Sequence, residues 1–147
     1  MSFLSSLNIS ASALTASRLR MDIISENVAN ASTTRTEEGG PYRRKMVVYE
    51  PAGDGGFRSM LRSSLASAQS EPKGVRVAQI VEDPSEFTPV YDPEHPDADG
   101  DGYVLMPNVD PVKEVLDMMS VTRAYEANIT ALNAVKSMAA KALEIGK

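Results

Sequence analysis

The sequence predicts an α+β protein: two long terminal helices packed as an antiparallel coiled-coil-like pair, with a small β-rich middle module between them. Three observations carry this. Apolar residues recur seven apart at both ends. The middle is rich in Gly and Pro and contains short alternating runs. A strong helix start, Asp110-Pro111, opens the last segment. The division that follows is 1–34 for the first helix and its end motif, 35–107 for the middle module with a variable loop at 52–73, and 108–147 for the second helix.

Residues 2 to about 31 contain no Gly or Pro. Leu7, Leu14, Met21 and Val28 fall seven apart, with Leu4 and Ala11 beside them. Apolar residues at that spacing lay a narrow stripe along one helix face, as two zipped helices require. The helix should unwind near Asn30-Ala31-Ser32-Thr33-Thr34, where short polar side chains compete for backbone hydrogen bonds. Gly39-Gly40-Pro41 then marks a turn. Tyr42 to Glu50 reads as a strand with a β-branched and aromatic centre, and it stops at Pro51. Ala52 to Ser70 is rich in Gly, Ser and Ala, and Phe57, Leu61 and Leu65 could place a weak helical turn there. Further strands are expected at 74–82 and 87–91, the latter after the turn Asp83-Pro84-Ser85, and a short extended run at 103–106. From Asp110 to Gly146 nothing breaks the second helix, whose stripe is Val115, Met118, Tyr125, Ile129, Leu132, Ala139 and Leu143. Glu114 and Asp117 suit its amide end, and Lys136 and Lys141 its carbonyl end.

Composition removes several classes of function. The net charge of −5 argues against nucleic acid, which needs a basic face. Zero cysteines exclude disulfides and thiolate chemistry. The first residues do not form a secretory leader, because no Lys or Arg precedes Arg18 and serines interrupt every apolar run. No segment approaches the ~20 apolar residues of a membrane span. His95 is the single histidine, so neither a catalytic pair nor a nitrogen-rich metal site can be assembled around it. Asp97-Ala98-Asp99-Gly100-Asp101-Gly102 resembles the first half of a calcium loop. Leu105 and Asn108 occupy the later ligand positions and Pro96 and Pro107 the flanks, so an acidic turn is the better reading. Met118, Met119 and Met138 at helical spacing read as packing residues. Arg18 and Arg123 could be snorkelling stems or cross-subunit ion pairs. No catalytic residue, cofactor or metal is therefore expected, and the chain reads as architecture, not as an enzyme.

Several stretches resemble one family. Asn27-Val28-Ala29-Asn30-Ala31-Ser32-Thr33-Thr34 looks like the Asn-x-Ala-Asn-x-x-Thr signature of bacterial flagellar rod and hook subunits. Thr122-Arg123-Ala124-Tyr125-Glu126-Ala127-Asn128-Ile129 looks like their C-terminal signature. Pro41-Tyr42-Arg43, Val90-Tyr91-Asp92-Pro93, the run from His95 to Val104, Met106-Pro107-Asn108-Val109 and Asn133 to Met138 are similar to the proximal-rod members of that family. The motif residues carried by the resemblance are Asn27, Ala29, Asn30, Thr33, Tyr42, Arg123, Tyr125 and Asn128. The resemblance implies an axial subunit of the basal-body rod, exported unfolded through the flagellar type III apparatus without a cleaved signal peptide. It implies a periplasmic location and partners that are copies of the chain, other rod subunits and the adaptor joining the rod to the inner-membrane ring. The rival readings are a coiled-coil adaptor or a type III needle-like secreted component, neither of which needs the β middle, and a calcium-binding module.

Overall fold

The computed structural model describes residues 3–37, 39–53 and 74–145. Helix α1 spans Phe3–Ala29, strand β1 Lys45–Pro51, β2 Val75–Glu82, β3 Thr88–Tyr91, β4 Tyr103–Met106, and helix α2 Pro111–Ile145. The α+β architecture with two long terminal helices is the one the periodicity predicts. The helical turn expected around Phe57, Leu61 and Leu65 lies outside the described residues.

Each boundary has a local cause. Helix α1 ends where the Asn30 side chain donates to the Glu26 carbonyl and accepts from the Thr33 hydroxyl, diverting the last turn. Gly39 and Gly40 both adopt φ near +87°, a conformation open to glycine, and Thr36 N–H bonds across them to the Gly40 carbonyl. The first strand starts three residues later than Tyr42, for a specific reason. Tyr42 N–H donates to the Thr33 carbonyl and Arg44 N–H to Asn108 Oδ1, so those amides are committed before a ladder can begin. Helix α2 is capped by Asp110, whose Oδ1 accepts from the amides of Val112 and Lys113. Those amides hold the Asp110 carboxyl below its ordinary pKa.

Strands β1 and β2 form one two-stranded sheet, and β3 and β4 a second. The first is antiparallel, bounded by Asp83 N–H to the Arg44 carbonyl at one end and Ala52 N–H to the Gly74 carbonyl at the other. The second is antiparallel with Val90 opposite Val104 and Tyr91 opposite Tyr103.

The chain resolves into two compact units. The first draws on residues 1–18, 49–78 and 123–147, the second on 19–48 and 79–122, so both cut across the three sequence segments. In the first, Tyr49 Oη donates to the Ala16 carbonyl and Val75 N–H to Ser12 Oγ, fastening strand to helix. In the second, α1 and α2 pack antiparallel. Met21 meets Thr122 and, a turn and a half further along α1, Asn27 meets Glu114, so α2 runs back as α1 runs forward; Arg20 and Asp117 pair beside them. The buried residues of this second unit, among the described residues, are Ile23, Ile24, Asn27, Tyr42, Val104, Pro107, Glu114 and Val121.

Candidate assembly interface

The most constrained residue of the molecule is polar. Asn27 is 1% exposed. Its Nδ2 donates to the Lys45 carbonyl at 2.9 Å and to Glu114 Oε2 at 3.1 Å. Its Oδ1 accepts from Tyr42 Oη at 3.0 Å and from Lys45 N–H at 2.9 Å. A primary amide has two donor hydrogens and two acceptor lone pairs, so every one is used. One side chain thus ties helix α1 to strand β1, to helix α2 and to the loop that carries Tyr42.

Glu114 is equally enclosed, and its second oxygen accepts from Arg44 Nε at 2.7 Å. Glu114 sits in the first turn of α2, the amide end to which its charge is suited. Its side chain points inward, because the Asn27 amide and the Arg44 guanidinium together supply the donors a buried carboxylate requires. Burial works against the Arg44 charge, but the bond to Glu114 and the nearby Asp83 and Asp117 carboxylates outweigh it and raise the pKa of Arg44. Desolvation, with the Glu26, Glu114 and Glu82 charges added, pushes Tyr42 up to about 12. Asp83 is held below the ordinary carboxylate value by the backbone and hydroxyl of Ser85 and by Arg44. Beside the cluster lies an open cleft of about 420 Å³ whose walls include Arg44, Asp83, Lys113 and Asp117. Its ionised groups are already paired: Arg44 with Glu114, Asp83 and Asp117, and Lys113 with Asp110.

The two helices distribute the stripe residues differently. Among the described side chains of α1, every exposed position falls on one row, at 4, 8, 11, 15, 18, 22, 25 and 28–29. Leu4, Ala11 and Val28 lie on it, whereas Leu7, Leu14 and Met21 sit half-buried on its flank. The buried row is Ala16, Ile23, Ile24 and Asn27, two residues out of phase with the leucine row. On α2 the shielded positions are 114, 117, 118, 121, 125, 128, 132, 135 and 139. Their alternating steps of three and four are those of a coiled-coil seam. Met118, Tyr125, Leu132 and Ala139 lie on this seam, while Val115, Ile129 and Leu143 are exposed at 51%, 37% and 77%. Val112, Leu116 and Met119 are exposed beside Val115, so the first turns of α2 present a continuous apolar face.

Among the motif residues, Asn27 and Tyr42 meet in the polar cluster. Asn30 and Thr33 close the end of α1, and Asn128 bonds back to the Ala124 carbonyl. Ala29 and Arg123 are exposed, and Arg123 makes no ion pair among the described residues. The residues missed by sequence reasoning are Ile23, Ile24, Arg44 and Val121. Ile23 and Ile24 were visible as apolar neighbours of the chosen stripe, but a helix with several apolar rows does not announce which row faces in. The acidic run is a turn, with Asp99 Oδ1 accepting from the amides of Asp101 and Tyr103. Asp97 is not merely solvated, since it accepts from the Thr34 hydroxyl and faces Arg35. Among the described residues no helix is long and apolar enough to cross a membrane, and no group of three or more His, Cys, Asp or Glu could hold a metal ion.

Comparison with known proteins agrees with this architecture. Residues 7–35 match the family described as flagella basal body rod protein, and residues 101–145 match the C-terminal family of flagellar basal body rod FlgEFG proteins. The chain is 55% identical to the flagellar basal-body rod protein FlgC of Bacillus subtilis (strain 168) over 146 residues, 97% of each chain. It is 45% identical to the FlgC of Borreliella burgdorferi over 151 residues, 99% of this chain and 98% of the relative. Across the full length of both chains it is 39% identical to the FlgC of Escherichia coli O157:H7. These matches favour the rod reading over a coiled-coil adaptor or a needle-like component. The chain belongs to the FlgC family of flagellar basal-body rod proteins.

Proposed function

We propose that this chain is a structural axial subunit of the proximal rod, polymerising through its terminal helices into part of the tubular shaft that transmits motor torque and surrounds the export channel. The family supports a structural protein that resides in the flagellar basal body and assembles with other rod subunits. The finer reading adds copies of itself and the adaptor at the inner-membrane ring as neighbours. It also adds delivery through the flagellar type III apparatus to the periplasm without a cleaved leader.

The observation that carries the proposal is the apolar surface left uncovered on ordered helices. Leu4, Val115, Leu116, Met119, Met138 and Leu143 are each at least half exposed. Such a surface needs a partner to leave water, and helices are stabilised mainly by packing an apolar face. Interfaces of this kind join unlike surfaces head to tail, which propagates an assembly instead of closing a pair.

The test compares two variants in swarming and in isolated basal bodies. Val115→Asp places a charge on the exposed apolar face and should abolish rod completion while the free chain keeps its helical content. The triple change of Asp97, Asp99 and Asp101 to Asn keeps the acceptor oxygens of the turn and should leave motility close to wild type. Normal motility in Val115→Asp with loss of motility in the triple variant would overturn the assignment, because function would then lie in the acidic turn.

A further inference from the structure

We infer that the outer face of the β3–β4 ribbon is a second docking surface, built for a basic segment of a different axial subunit. The inference rests on the rod-subunit reading above and adds a partner chemistry to it.

Alternation in the paired strands puts Val90 and Val104 on one face and Pro89, Leu105, Tyr91 and Tyr103 on the other. Val104 is 2% exposed, so at β4 its face is the inner one, while Val90 across from it on β3 is 43% exposed. On the outer face Tyr91 is 65% exposed, Leu105 50% and Tyr103 46%. Two tyrosines and a leucine on a ribbon of two four-residue strands are far more apolar contact area than a solvated hairpin requires, and tyrosine is prominent among residues that anchor interfaces.

The anchor is already shaped. The rings of Tyr91 and Tyr103 meet edge to face, with centroids 5.3 Å apart. Gly102, at φ +80°, leaves bare backbone beneath Tyr91, and a Cβ there would lie 3.1 Å from the ring and 3.3 Å from Pro93. An aromatic pair fixed before binding loses little side-chain freedom on docking.

Charge selects the partner. From residue 83 to 102 the chain has seven carboxylates and no Lys or Arg. Asp97 and Asp83 are spent on Arg35 and Arg44, Asp99 on loop amides, and Glu86 lies exposed ahead of β3. Asp92, Glu94 and Asp101 remain exposed in the loop joining the two tyrosine-bearing strands. Among the described residues none of the three makes an ion pair. A basic surface complements this rim, and a second copy of this chain, at net −5, is on overall charge the poorer match.

The experiment places p-benzoylphenylalanine at position 105 and irradiates cells before basal bodies are isolated. The expected result is a crosslink to another rod subunit, at a segment where Lys and Arg outnumber Asp and Glu. The variant Glu94→Lys with Asp101→Lys should lower the crosslink yield at least about tenfold while the chain is still recovered in basal bodies. No crosslink, a crosslink to a second copy of this chain or to an acidic segment, or a yield unchanged by charge reversal would overturn the inference and leave the rod assignment standing. Absence of the unmodified chain from basal bodies would overturn the rod assignment and this inference together.

Discussion

Helices α1 and α2 carry similar heptad patterns and opposite burial. Helix α1 shows solvent a single row and hides the remainder, while α2 hides a single row and shows the remainder. The difference comes from what surrounds each. Asn27 of α1 bonds to strand β1 on one side and to α2 on the other, and Ser12 receives the amide of Val75. No comparable bond ties a strand to the second half of α2 among the described residues. Periodicity therefore states that a helix will pack, not how many neighbours it already has. Helix α1 is held largely by its own chain, whereas the outer faces of α2 remain available for assembly.

The sharpest way to break this comparison is to mutate one residue of each kind. Asn27→Ala removes four hydrogen bonds and leaves buried Glu114 with Arg44 as its remaining partner, a change on the order of 3–5 kcal/mol. Met119→Ala, on the outer face of α2, should change free-chain stability by less than about 0.5 kcal/mol. Urea unfolding of both variants measures the contrast. Equal losses would mean that the exposed row of α2 is covered within the free chain.

A smaller effect comes from pH. Tyr42 titrates near 12 in the folded chain against about 10 unfolded, so the unfolded chain releases its proton first as pH rises. Its contribution is intact below about pH 10 and is lost as pH climbs through about 12, by roughly 2–3 kcal/mol. Denaturant midpoints between those limits should fall steeply in the wild type. They should fall less in Tyr42→Phe, which has no proton to lose.

The mildest probe is amide hydrogen exchange on the free chain. Amides between residues 16 and 27 of α1 should be protected at least about tenfold more than those between 124 and 139 of α2. Assembly into rods should remove much of that difference. Uniform protection in the monomer would show that α2 needs no partner.

Much of the fold was legible because its signals are local. The absence of Gly and Pro, the Asp110-Pro111 start and the polar end of α1 located both helices to within about two residues, the usual uncertainty of a helix end. The short strands were legible from β-branched alternation. What could not be read was phase. Leu7, Leu14 and Met21 are half-buried while Ala16, Ile23, Ile24 and Asn27 are buried, a choice that several apolar rows on one helix do not announce. Asn27 was legible as a motif residue, but its burial depends on Lys45, Tyr42 and Glu114, which come together only in three dimensions. Glu114 was legible at the amide end of α2, but its burial was not, since that depends on donors from Asn27 and Arg44.

Gly74 shows how this protein can separate what may change from what may not. Its φ is +105°, and a Cβ at that position would fall 2.2 Å from Ser12 Oγ. That oxygen is already engaged with the Ile9 carbonyl and the Val75 amide, so it cannot turn aside without breaking a contact. Together with the Ala52 to Gly74 hydrogen bond, the glycine welds shut the base of everything between residues 53 and 74. A change of length between these two anchors should leave the contact at Ser12 in place, because the entropy of closing a longer flexible connection rises by only about 0.6 kcal/mol for each doubling. The site is thus a natural port, where evolution can vary the text or an experimenter can splice in a tag, while the anchorage at Ser12 keeps its geometry.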